Sequence, residues 1–125
     1  MIPQNDPLKK YQWKNRVLLV FTPDYEDARF KNQQEIITDN TNAIEERDLI
    51  VKIISLKSDL EEKQFSKAEV LQLRENFSIG NSDYTVILIG KDGTVKLRIN
   101  DVVQANQLFS LIDSMPMRKE EMKNR

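Results

Sequence analysis

Residues Val17-Leu18-Leu19-Val20-Phe21 place five apolar side chains in a row between Arg16 and Thr22-Pro23. A strand with one wet face alternates polar and apolar residues, and this one does not. It therefore suits a position buried on both faces, in the middle of a parallel or mixed sheet. The run ends at Thr22-Pro23, and a helix-like segment comes next. In open α/β sheets, ligand chemistry gathers where a central strand hands over to a helix. The side chains that would run the most familiar chemistry there are missing, because the chain has neither cysteine nor histidine. No disulfide, thiol nucleophile, thiolate metal site or imidazole base arises from its own residues.

The length of 125 residues corresponds to a single domain over 1–125, with a core at about 8–116 and loose termini. A net charge of −1 argues against a nucleic-acid binder, which carries excess positive charge. No apolar run approaches the ~20 residues that span a bilayer. Residues Met1 to Asp6 form a polar start without the basic and apolar parts of a signal peptide. That fits a cytoplasmic protein or a mature form with an added Met1.

Trp13, the sole tryptophan, is expected to close one end of the core. From Asp24 to about Arg47, Phe30, Ile37 and Ile44 recur every seven residues and predict one long helix capped by Asp24. Glu26 and Asp27 place negative charge at its positive end. Leu49 to Leu56 is a second β-branched strand, succeeded by the charged segment Lys57 to Lys63. Ser66 and Glu69 form a capping box, opening a helix with Val70, Leu71, Leu73 and Phe77 inward. Tyr84 to Ile89 is a third, apolar strand. Gly90-Lys91-Asp92-Gly93 is a tight turn, since Asp-Gly supplies a positive φ. Thr94 to Ile99 alternates, with Lys96 and Arg98 on the wet face of an edge strand. A last helix, capped by Asn100 or Asp101, buries Leu108, Phe109, Leu111, Ile112 and Met115, and Pro116 stops it. Met117 to Arg125 reads as a loose charged tail.

The order βαβαββα with the two most apolar strands central gives a four-stranded mixed sheet of order 2-1-3-4, flanked by helices on both faces. This is an α/β, thioredoxin-like arrangement. A ferredoxin-like fold expects two βαβ units, and a flavodoxin-like fold needs a fifth parallel strand.

Three stretches carry a family resemblance. The first runs from Trp13 through Arg16 to Pro23. The second is Gly90-Lys91-Asp92-Gly93 with the strand after it. The third is Asp113-Ser114-Met115-Pro116-Met117-Arg118 with Glu121 beyond. Together they resemble the family known as domain of unknown function 4174, over roughly Leu8 to Met122. The resemblance implies a thioredoxin-like, mostly bacterial and often exported domain. It also implies kinship with domains of sushi-repeat-containing and coiled-coil-domain-containing extracellular proteins. It brings no well-established enzymatic activity and no cofactor. Its redox marks are absent: Pro23 to Phe30 holds no Cys-x-x-Cys, and no proline stands in Asn81-Ser82-Asp83-Tyr84. Counting from Pro23 on the peroxiredoxin pattern puts Asp27 at the threonine and Phe30 at the cysteine.

Three functional readings are open to such a chain. The first is a non-catalytic binding module, in which Lys91, Lys96, Arg98 and Arg118 converge on a protein or an anionic polymer. Against this stand two structural roles: Lys96 and Arg98 guarding an edge, and Asp113 pairing with Arg118. The Met115-Pro116-Met117 segment either fills the core or offers an adaptable apolar contact. The second reading is a peroxiredoxin-like relative that has lost its catalytic cysteine. A carboxylate hydrolase on Asp24 and Asp27 is more remote and calls for a raised pKa in one of them, and a metal on Asp24, Glu26 and Asp27 is weakly supported, since three acids in one helical turn do not enclose an ion. The third is a self-associating domain, forming a homodimer through a sheet edge.

Overall fold

A computed structural model describes residues 6–55 and 65–124. Four strands, β1 (Arg16–Thr22), β2 (Leu49–Ser55), β3 (Thr85–Ile89) and β4 (Val95–Ile99), form one sheet in the order β2-β1-β3-β4. β1 runs parallel to β2 and antiparallel to β3, and β4 is antiparallel to β3. The helices are α1 (Ala28–Asp39), α2 (Thr41–Glu46), α3 (Lys67–Asn76), α4 (Ala105–Asp113) and α5 (Pro116–Lys123).

Every residue of β1 is buried, as its unbroken apolar run requires. Side chains alternate across the pleat, so β1 feeds two cores. Val17, Leu19 and Phe21 pack with Ile54, Ile87, Ile89 and Leu73 of α3. Leu18 and Val20 pack on the other face with Val86, Leu88, Phe30 of α1, Ile44 of α2, and Leu108 and Ile112 of α4. At the edge, β4 turns Leu97 and Ile99 toward this second core and exposes Lys96 and Arg98.

Several expectations about local structure are corrected. The long helix breaks at Asn40, whose side-chain amide donates to the Ile36 carbonyl and draws the chain out of helical geometry. Asp27, not Asp24, caps α1, accepting from the Arg29 N–H at 2.9 Å. Leu71 is exposed rather than inward. Neither Asn100 nor Asp101 caps α4, whose N-cap is Gln104. Asn100 instead accepts from the Thr85 hydroxyl, and Asp101 from the Val102 N–H. Pro116 begins a helix rather than ending one: α4 stops at Asp113, and Pro116 takes the first position of α5, where its missing N–H costs nothing. The tail over Met117–Lys123 is therefore helical, not loose. The capping box of α3 is present as expected. The polar start over residues 1–5, the strand end at Leu56, the charged segment Lys57–Lys63 and Arg125 lie outside the described residues.

Candidate functional site

The antiparallel pairing of Val17 with Ile89 sets the turn after β3 beside the start of β1. The corner between α4 and α5 closes on the same end of the sheet. Arg16, Gly90, Lys91, Asp92 and Lys96 line a cavity there of about 220 Å³. Met115, Pro116 and Met117 line its other side. The residues that carry the family resemblance are thus gathered from three distant parts of the chain. Pro23 is the exception, since it comes after β1 at the opposite end.

The turn is built as its sequence suggests. Gly93 has φ 85°, and its N–H donates to the Gly90 carbonyl at 3.0 Å. Asp92 accepts from the Thr94 N–H and hydroxyl through one carboxylate oxygen and from Lys96 Nζ, at 3.0 Å, through the other. Burial raises the Asp92 pKa, but these donors outweigh it and hold the carboxyl below its ordinary value.

Behind the cavity lies a network of ion pairs. Arg16, only 1% exposed, holds Glu121 in a bidentate pair, with both N–O distances 3.1 Å. Lys91 donates to Glu121 at 2.7 Å and to Asp48 at 2.9 Å. Asp113 receives Arg118 Nε at 2.9 Å and the guanidinium of Arg47 at 2.8 Å. Arg118 is also 1% exposed and reaches Glu46. The four expected cations therefore do not share one open surface. Arg118 and Lys91 are held by internal carboxylates and clamp α5 to the body. Lys96 stays at the surface beside Asp92, and Arg98 is exposed on β4, its side chain making no hydrogen bond or ion pair to any described residue. Arg47, Glu46 and Asp48 were not marked by the sequence, because charged residues at a helix end ordinarily face solvent.

Trp13 is not a lid on the core. It is 59% exposed, with φ 69°, and its backbone N–H donates to the Lys91 carbonyl. Gln12 fixes the same segment by donating to the Asp92 carbonyl at 3.0 Å. Met117 is 41% exposed, which leaves its thioether free for contact.

Burial raises the pKa of Asp113 and of Glu121. Hydrogen bonds from Arg47 and Arg118 to the first, and from Arg16 and Lys91 to the second, outweigh it, so both lie below their ordinary values. Depressed carboxyls stabilise fully above those values, 3.8 and 4.5, and lose their contribution as pH falls through the lower folded ones. Acidification from pH 7 to 3 is therefore expected to release α5 before the sheet unfolds. Amide exchange, corrected for its intrinsic rate, would show protection of Lys119–Lys123 lost at higher pH than that of β1. Simultaneous loss in both elements would contradict the clamp.

At the other end of the sheet, the peroxiredoxin cysteine position holds Phe30, which is buried against Tyr25 with ring centroids 5.5 Å apart. No cis peptide occurs among the described residues. Asp27 is occupied by Arg29 at 2.7 Å, and among the described residues no acidic cluster is arranged to hold a metal.

This sheet and its helices match solved thioredoxin-fold structures. The reduced 2-Cys peroxiredoxin of Plasmodium vivax superposes with a TM-score of 0.69 at 17% identity, over 90% of this chain and 84% of that one. StoA of Bacillus subtilis gives 0.55 at 13% identity, over 78% and 81%. The class is thus a thioredoxin-fold domain, here one without cysteine. The chain belongs to the family described as Domain of unknown function (DUF4174), which matches residues 7–121. It is 29% identical over 120 residues to Sushi repeat-containing protein SRPX of Rattus norvegicus, covering 92% of this chain and 26% of that protein. It is 23% identical over 133 residues to Coiled-coil domain-containing protein 80 of Danio rerio, covering 92% and 15%. The chain spans about a quarter or less of the length of these relatives.

Proposed function

We propose that this domain is a binding module without thiol chemistry, and that its contact face for an acidic protein segment is the turn end of the sheet. The observation that supports this reading is Trp13. A large aromatic side chain stands in solvent, on a left-handed backbone that costs a bulky residue about 1 kcal/mol or more. A fold gains nothing by holding an indole there, whereas exposed tryptophan is a common anchor in recognition. Lys91 ties Trp13 to the cavity that Met117 also lines, and Lys96 and Arg98 supply charge from the adjoining strand.

As the only tryptophan, Trp13 reports on its own surroundings. Titration with polyglutamate at several salt concentrations is expected to shift its emission saturably, with affinity falling as salt rises. The double variant Lys96→Ala/Arg98→Ala is expected to weaken binding several-fold. Unchanged affinity in that variant, or no response to polyglutamate, would refute the reading. A response to heparin alone would reassign the face to anionic polymers.

A further inference from the structure

We infer that the cavity between the β3–β4 turn and the start of α5 is a carboxylate site, taking one carboxylate carried on a short apolar stem. This rests on the reading of the domain as a binding module and names what its cavity would hold. Four charged groups line the cavity: the cations Arg16, Lys91 and Lys96 against the single carboxylate of Asp92. Glu121 and Asp48 hold two of these cations without themselves lining it.

The opening turn of α5 lines the same space. Its N-cap, Met115, provides no side-chain hydrogen bond, and Pro116 occupies the first helical position. That leaves the positive end of an eight-residue helix without a side-chain acceptor.

A second observation points to a ligand independently. Arg16 is 1% exposed, and both terminal nitrogens of its guanidinium are engaged by Glu121 and the Arg47 carbonyl. Its Nε is buried and has no hydrogen-bond partner. A buried N–H donor of a charged group left without an acceptor is costly, and native proteins satisfy nearly all of them. Arg16 borders the cavity, and a carboxylate oxygen that reached its Nε from there would be an acceptor of the right kind. Met115 and Met117 then flank the stem with flexible thioethers that adapt to its shape. A volume of about 220 Å³ is below that of drug-sized sites and suits a side chain or a chain terminus. Gly90 makes room for the lining Lys96 stem: a Cβ there would lie 2.6 Å from Lys96 Cε and 3.1 Å from an Asp92 carboxylate oxygen.

The test uses ¹⁵N-labelled full chain, tracking the Arg16 Nε–H resonance and the Met117 and Arg118 amides. Sodium butyrate is added at constant ionic strength. In parallel arms, an acetylated tetrapeptide ending in leucine is added as its free acid and as its amide. Saturating shifts at all three positions are expected with butyrate or with the free-acid peptide. Whichever binds more tightly identifies the source as a free acid or a chain terminus. Lys96→Glu reverses a lining charge, and Gly90→Ala displaces the Lys96 stem from its place against the turn. Each is expected to weaken binding at least about tenfold. Lys96 is exposed, so its replacement leaves the core untouched, and unchanged thermal melting would confirm the fold in each variant. Equal binding of acid and amide, shifts that stay linear in concentration, or undiminished affinity in both variants would overturn the site. Should carboxylates fail while polyglutamate still moves the Trp13 emission, the cavity assignment falls and the binding module stands. Should both fail, both readings fall.

Discussion

Truncating Glu121 to alanine is expected to lower stability by about 2–4 kcal/mol in urea unfolding. The effect comes from the charge left behind rather than from the group removed. Glu121 is the anion for the Arg16 guanidinium, which is almost wholly buried and already carries an unpartnered Nε. It is also one of two carboxylates on Lys91. Without it, a buried positive charge keeps only the Arg47 carbonyl, at 2.9 Å. Removing one member of a buried pair costs far more than the pair contributes on balance, because the survivor stays desolvated. Arg16→Met makes the opposite cut. It leaves Glu121 partly exposed and still bonded to Lys91, with an unbranched apolar chain in place of the arginine stem. Its loss should be at least about 1 kcal/mol smaller. Equal losses in the two variants would mean that the network is solvated and that α5 is held by other contacts.

The second large effect lies at Gln33, which is buried in α1 at a position where its helical stripe offers no reason for a polar group. Its amide nitrogen donates to the Val103 carbonyl at 3.0 Å. Its carbonyl oxygen accepts from the Val103 N–H at 2.8 Å and from the Tyr84 hydroxyl at 3.1 Å. One side chain thus satisfies both backbone groups of a fully buried residue in the β4–α4 loop and anchors the residue that leads into β3. Burial also pushes the Tyr84 hydroxyl pKa well up, so it remains a donor. Gln33→Leu keeps the volume and orphans all three partners. A loss of about 3–5 kcal/mol is expected from unsatisfied buried groups worth about 1–3 kcal/mol each. Tyr84→Phe removes one of those bonds with its donor and should cost only about 1 kcal/mol. The double variant should lose less than the sum, since the tyrosine no longer has a hydroxyl to orphan. A loss below about 1 kcal/mol for Gln33→Leu would show that water replaces the glutamine.

The sheet was legible because its signal is local. An unalternated apolar run at Val17–Phe21 and another at Val86–Ile89 have only the middle of a sheet to occupy, and an alternating Val95–Ile99 only an edge. The capping box at Ser66 and the Asp-Gly turn were readable for the same reason. Both are satisfied within a few residues of themselves. Helix ends were read less well. Asp24 and Asp27 are equally good caps by type, and only the path of the chain after Pro23 selects the second. Pro116 is compatible with a helix stop and with a helix start. The choice falls to Arg118 and Glu121, whose ion pairs hold the residues beyond it in a helix.

The network was illegible because its partners are far apart in the chain. Arg16 and Glu121 are separated by 105 residues, and Arg47 and Asp113 by 66. A charged residue read alone belongs at the surface, and only a partner brought in by folding makes burial tolerable. Trp13 failed in the opposite direction: an aromatic residue read alone belongs inside, and a left-handed backbone turns this one out.

By itself, then, the amino-acid order determined the strand order, the turn, the family and the absence of thiol chemistry. Each of these depends on short-range pattern or on composition. Only the tertiary structure decided that the family's residues meet at the end of the sheet away from Pro23, that α5 is clamped by buried charge, and that Lys96 and Arg98 rather than Arg118 remain at the surface. Those outcomes depend on long-range contacts, whose desolvation and pairing are settled where distant segments touch.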